Sequence, residues 1–221
     1  MKTNIVNGII IFLLGLLSPQ IAQAQGTITY LSSLSPTSTG NAAVSSDSWL
    51  AAGFGTGNNP DGYTLDSIQL AMTDTSGNPS DFTAMIYNEA NNPAAILPGS
   101  SLGTLSGSDN PSTSGIFTYT DDSNIILSPS TEYFIVLTAG TMVANGAYEW
   151  EESAYPPSIN MWGVDNGVLH SSNNGSSWSF TPYSGIAQFA ITATPIPEPS
   201  PSLLILLGSG ILFYVRRAFH R

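Results

Sequence analysis

Glu149, Glu151 and Glu152 crowd around Trp150. Paired carboxylates beside an aromatic ring are what glycoside hydrolysis uses, one as acid and the other as base or nucleophile. On a strand, however, side chains alternate, so Glu149 and Glu151 share one face and Trp150 takes the other. The commoner outcome of that pattern is a buried Trp150 under a solvated acidic face. A Ser-His-Asp triad has only His170 to offer as base in the central part of the chain. No Gly-x-Ser-x-Gly elbow accompanies it, and it sits beside serines in an expected hairpin. A zinc site lacks ligands, with that single histidine and no cysteine. No catalytic residue and no metal ligand set is therefore expected. Asp61, Asp109, Asp121 and Asp122 lie in turns with oxygen-rich neighbours but without the twelve-residue EF-hand pattern. Such turns either hold a structural calcium or are simply solvated. Trp49, Trp150, Trp162 and Trp178 are candidate glycan contacts, as a stacking platform for sugar rings. Tryptophan also fills sandwich cores, which is its commoner fate.

Ser171-Ser172-Asn173-Asn174-Gly175-Ser176-Ser177-Trp178 resembles an Asp-box, with Asn173 and Ser177 in place of its Asp and Thr. Asp-boxes occur in sialidase propellers as structural hairpin turns, so the resemblance implies a turn and not a catalytic centre. A sialidase would also need arginines for the substrate carboxylate, and one copy of the motif makes no propeller.

Charge narrows the functions further. The basic residues Lys2, Arg216, Arg217 and Arg221 all lie near the two ends, and no Lys or Arg stands between Gln25 and Pro197. Fourteen acids occupy that stretch. Nucleic-acid binding needs cations against phosphate and is excluded; so is anion recognition through arginine. With no cysteine there is no disulfide, although export would permit one. A central segment of about 170 residues is long enough to bury roughly 70% of its unfolded surface without staples, as one domain.

The elements that must position these residues are strands. Gly, Ser, Thr, Asn and Pro punctuate the chain about every ten residues, and the runs between them are rich in β-branched and aromatic residues. Strands are predicted at residues 27–34, 48–54, 63–72, 82–87, near Leu105, and at 116–120, 133–138 and 147–150. Further strands are predicted at 161–164, 168–170, 178–180 and 186–192. Ile68, Leu70 and Met72 alternate with Gln69 and Ala71, a half-buried strand. Asp165-Asn166-Gly167 reads as a hairpin turn between two strands, and Pro195 as the start of a linker. The expected architecture is all-β: a single jelly-roll-like β-sandwich over residues 25–194.

Three segments in this order carry a resemblance to a known domain: Asp61–Leu70, Pro98–Leu105 and Leu127–Leu137. They resemble the choice-of-anchor R domain, whose members join similar β-domains to different surface-anchoring tails. The resemblance covers roughly Ile28 to Ala193 and implies no catalytic residues.

The two ends read as targeting segments. Lys2, the apolar run Ile9–Leu17 and the A-x-A site Ala22-Gln23-Ala24 predict a signal peptide over residues 1–24, cleaved to leave Gln25 first. Near the other end, residues 195–202 form a proline-rich linker holding Pro197-Glu198-Pro199. An apolar run, Leu203–Val215, follows and suits a short transmembrane helix. The basic segment 216–221, with Arg216 and Arg217, should stay cytoplasmic. This order of motif, helix and arginines resembles the PEP-CTERM sorting signal. The resemblance implies an exosortase, a membrane-embedded protease or transpeptidase, as partner, with the membrane held through the helix before processing.

Together these observations predict an exported, non-enzymatic envelope or matrix protein among exopolysaccharide. The alternative is a carbohydrate-binding module of the same matrix; a glycoside hydrolase comes third.

Overall fold

Short runs of alternating apolar residues form antiparallel strands wherever a partner can take up their backbone groups, and here nearly every such run finds one. The computed structural model describes residues 26–198 apart from 36, 108–109, 155–157, 160–161, 166 and 181–184. In chain order the strands are β1 (Ile28–Ser32), β2 (Gly40–Val44), β3 (Trp49–Gly55), β4 (Tyr63–Gly77), β5 (Thr83–Glu89) and β6 (Pro98–Thr104). They continue with β7 (Ser106–Gly107), β8 (Gly115–Thr120), β9 (Ile126–Leu127), β10 (Glu132–Thr138), β11 (Gly146–Ser153) and β12 (Ser158–Ile159). The last are β13 (Gly163–Val164), β14 (Leu169–Ser171), β15 (Ser179–Phe180), β16 (Ile186–Ala187) and β17 (Phe189–Pro195). No helix occurs among the described residues, so the fold is all-β.

Two sheets result. Sheet I runs β12-β1-β17-β4-β11-β16, with β2 on β11, β8 and β9 on β4, and β7 on β8. Sheet II runs β15-β14-β3-β10-β5-β6, with β13 on β3. Period-two alternation sends one set of side chains from each sheet into a common core, as in a β-sandwich. Ile68, Leu70 and Met72 of β4, Tyr148 and Trp150 of β11, and Phe189 and Ile191 of β17 come from sheet I. Leu50, Ala52 and Phe54 of β3, Ile86 of β5, and Tyr133, Ile135 and Leu137 of β10 come from sheet II.

One pairing changes partners in mid-strand. β16 lies on β11, whereas β17, one residue later, lies between β1 and β4. The residue between them, Gln188, is buried. A buried amide needs its bonds met. Gln188 Oε1 accepts from the Ser35 N–H at 2.8 Å, and its carbonyl accepts from Trp150 Nε1–H at 3.0 Å.

Three expectations change. The Asp165–Gly167 stretch does not join a hairpin: β13 and β14 both lie antiparallel on the same edge of β3, at Gly55/Phe54 and at Ala51/Leu50/Trp49. Just past β13, the Asp165 N–H still donates to the Gly53 carbonyl at 3.1 Å. Pro195 does not start the linker; it pairs with Tyr63 at the end of β17, and the Ile196 N–H donates to the Gly62 carbonyl. Strand β2, Gly-Asn-Ala-Ala-Val, carries little strand propensity of its own and forms because β11 offers it an edge.

Candidate functional site

The outer face of sheet II is unusual in being apolar as well as the inner one. On β10 the inner positions are Tyr133, Ile135 and Leu137, so Glu132, Phe134 and Val136 point outward. With Ala51 and Met85, Phe134 and Val136 form a second cluster, against which Trp49, Tyr87, Leu169 and Trp178 pack. Phe134 and Val136 are fully buried although they face away from the core. The outward residues of β3 after Ala51 are Gly53 and Gly55, which leave a trough. A cavity of ≈ 150 Å³ opens there, floored by Gly53, Phe134 and Leu169, with Ile96 and Phe180 on its rim and Asp165 in its wall. The rim side chains are 54% and 57% exposed, so two apolar surfaces face solvent beside a carboxyl group.

Glu132 reaches across the same trough. A Cβ placed on Gly53 would overlap Asp165 Oδ2 and lie 3.0 Å from Glu132 Oε1, and one on Gly55 would lie 3.1 Å from Glu132 Oε2. The two glycines are thus the space the carboxyls occupy. The Glu132 and Asp165 carboxyls thus lie together over Gly53. Burial first, then the Asp165 charge, pushes the Glu132 carboxyl up to about 8. Burial also raises Asp165, opposed by the bond from Glu132. The proton therefore belongs on Glu132 rather than on Asp165. The Asp165 carboxyl presents acceptor positions at the cavity wall.

The four tryptophans divide. Trp150 and Trp162 are fully buried in the main core and leave the candidate glycan platform: neither ring reaches solvent. Trp49 and Trp178 are partly buried on the outer face of sheet II, near the cavity's own face of the sheet. The hairpin turn between β14 and β15 holds them. Gly175 N–H donates to Ser171 Oγ at 2.9 Å, Ser177 N–H to Asn173 Oδ1 at 2.9 Å, and Asn173 Nδ2 to Ser177 Oγ at 2.8 Å. Asn173 thus does in this turn what an Asp does in an Asp-box. Gly175 has φ +75°, and a Cβ there would lie 3.2 Å from the Trp49 ring; both facts demand glycine.

The remaining candidates stay apart from this site. Glu149 and Glu151 lie on one face of β11, opposite Trp150, as alternation requires. Glu149 accepts from Asn41 Nδ2 at 3.0 Å, and burial raises its carboxyl. Glu152 does not share their solvated face; it is buried, accepts from the Gly185 N–H at 3.2 Å, and is raised by that burial. An open depression of ≈ 320 Å³ beside Glu151 and Gln188 has those two groups already in contact at 3.4 Å. Asp121 accepts from the Ser123 and Ile125 N–H groups, so it closes a turn. No group of three or more His, Cys, Asp or Glu side chains among the described residues could hold a metal ion. Asp109 lies outside the described residues.

Sequence reasoning missed the Glu132–Asp165 pair. A signal existed: Glu132 is the one charged position in the most apolar strand, and Gly53 and Gly55 alternate on a strand otherwise rich in large residues. Asp165 gave none, because only the pairing of β13 with β3 brings it over Gly53. Of the targeting residues, Pro197 and Glu198 are described and lie in neither sheet. Ala22, Ala24, Gln25, Pro199, Arg216, Arg217 and the run 203–215 lie outside the described residues. Among the described residues, no helix is long and apolar enough to cross a membrane. No protein-family model, no curated protein and no solved structure matches the chain.

Proposed function

We propose that this chain is an exported, non-enzymatic protein of the cell envelope or extracellular matrix, and that it contacts exopolysaccharide through the outer face of sheet II. The supporting observation is the cavity between Ile96 and Phe180. It places exposed apolar surface beside the Asp165 carboxyl, which accepts hydrogen bonds. Sugar rings offer that combination, an apolar face and a rim of hydroxyls. The absence of lysine and arginine from residues 26–196 favours a neutral or cation-bearing glycan over an anionic one. The jelly-roll-like sandwich would be delivered by the signal segment, held by the helix at 203–215, and released by an exosortase-type protease.

A glycan array probed with the purified protein tests the binding. Phe180→Ala should weaken the best hit by about 2- to 12-fold, the worth of one aromatic face at ~0.5–1.5 kcal/mol. Wild-type protein that retains nothing on the array would reduce the role to a structural one. The sorting step has its own readout. The mass of the envelope-associated protein should be lower in cells that carry an exosortase than in cells that lack it. Equal full-length masses in both would make the tail a simple anchor.

A further inference from the structure

β17 ends on Pro195, and the sequence continues Ile196-Pro197-Glu198. Proline has no backbone N–H, so Pro195 and Pro197 can donate nothing to a neighbouring segment. Ile196, between them, has one, and its peptide groups are held on both sides. Its N–H donates to the Gly62 carbonyl at 3.0 Å, and its carbonyl accepts from Asn59 Nδ2 at 3.0 Å. Asn59 and Gly62 are the first and last residues of the turn Asn59-Pro60-Asp61-Gly62. The Gly62 N–H closes that turn on the Asn59 carbonyl at 2.9 Å. Proline in second place and glycine in fourth suit it. Gly62 has φ +81°, and a Cβ there would lie 2.5 Å from the Leu127 carbonyl oxygen. The Asn59 N–H donates to Tyr63 Oη at 3.1 Å, and its side-chain amide also reaches the Gly62 carbonyl. The turn is thus fixed by its own bonds, and one side chain, Asn59, grips the outgoing chain. One residue further on, Pro197 and Glu198 are exposed and lie in neither sheet. The compact domain accordingly runs from Gly26 to Ile196.

We propose that Asn59 is a clasp that sets the proteolytic boundary of the domain at Ile196, and that a protease acting on the Pro197-Glu198 segment must first release it. A protease draws several residues on each side of the cut into its cleft as an extended strand, and it takes up their backbone groups itself. The N–H and carbonyl of Ile196 cannot serve the cleft and the 59–62 turn together. Cleavage at this segment therefore follows the fraction of molecules in which the clasp is open. The clasp protects the C-terminal end of β17 from trimming and slows release of the domain from its tail. Its use in sorting rests on the processing proposed above; the clasp itself does not.

Limited digestion of the purified full-length protein with proteinase K, with the fragments read by mass, tests the clasp. Wild-type protein should be cut C-terminal to Ile196 and resist between Thr192 and Ile196. In Asn59→Ala and in Asn59→Asp, which keeps the size and the backbone bonds but loses the amide donors, cutting between Thr192 and Glu198 should speed up at least about tenfold. Cuts within residues 28–191 should stay at the wild-type rate in both. Asp61→Asn, an exposed change in the same turn, should behave as wild type. Asn59 variants cut as slowly as wild type, interior cuts that rise in step in both, or an equal gain in Asp61→Asn would overturn the clasp. Digestion as expected, with an envelope-associated mass that is the same whether or not cells carry an exosortase, would leave the clasp standing and remove the sorting step. A mass that depends on the exosortase, with digestion unchanged by the Asn59 variants, would do the reverse.

Discussion

Replacing Trp162 by alanine should cost about 3–5 kcal/mol of stability, a large share of what a domain this size has to lose. Trp162 is fully buried where the two sheets meet. Its ring stacks on Tyr30 at 4.9 Å and on Phe54 at 6.0 Å, and meets Tyr63 edge-on at 5.0 Å. Tyr30 and Tyr63 belong to sheet I and Phe54 to sheet II, so the truncation opens a void across the seam, with no flexible neighbour to fill it. The indole N–H has no hydrogen-bond partner among the described groups. Trp162→Phe keeps most of the ring contact and removes an unsatisfied donor, so it should cost far less, about 1–2 kcal/mol. Urea denaturation of both variants measures the difference. An alanine variant within about 1 kcal/mol of wild type would mean that Trp162 is not the wedge between the sheets.

The second large effect is on pH dependence. Glu132 has its folded value raised to about 8 from an ordinary value of 4.5. Between those values the folded state holds a proton that the unfolded chain has released. The stability is therefore fully present below about pH 4.5 and is lost as pH rises through about 8. Asp165, Glu149 and Glu152 are raised as well, chiefly by burial, and act in the same direction. Asp47 is lowered by its Ser45 and Val143 bonds, so it stays ionised above about pH 5 and does not offset them over this range. Solvent reaches part of the Glu132 side chain, so its share is discounted to about 1–2 kcal/mol. The melting temperature should be roughly 3–8 °C higher near pH 5 than near pH 9. A melting temperature that climbs with pH over that interval would show that Glu132 is ionised in the folded state.

The strands were legible because alternation is local. Ile68, Leu70 and Met72 lie in the core as their spacing requires, and Tyr133–Leu137 is the central strand of sheet II. Asn173, Gly175 and Trp178 were legible as a turn because the motif contains its own hydrogen-bond partners. What local pattern could not carry was the identity of the neighbour. Asp165-Asn166-Gly167 has a hairpin's composition, but β3 offered both flanking segments a longer shared edge than they offer each other. β1 shows the same limit on a smaller scale. Its register slips at Tyr30, so Tyr30 and Leu31 are both buried where strict alternation would expose one. The carboxyl pair needed two such non-local facts at once, the β3–β10 and the β3–β13 pairings. Trp150 and Trp162 could not be told from Trp49 and Trp178 by residue type; only the face of the strand, or the seam between sheets, separates a core ring from an outer one.

The strand exchange at Gln188 bears on how the chain can be made. Residues 186–195 supply a neighbour to β11, β4 and β1, and bring Phe189 and Ile191 into the core. A growing chain that has not yet emerged as far as Pro195 leaves those three strands with open edges and an unfilled interior. Every stable arrangement of sheet I must wait for that segment, and the pairing of β1 with β17 closes a loop of more than 150 residues. Contacts so distant form late and slowly. Completion of sheet I on the ribosome is thereby delayed until the whole domain has been synthesised. A polypeptide kept loose for that long can be passed unfolded through a narrow translocation pore, at the cost of exposed strand edges that favour aggregation until the last partner arrives.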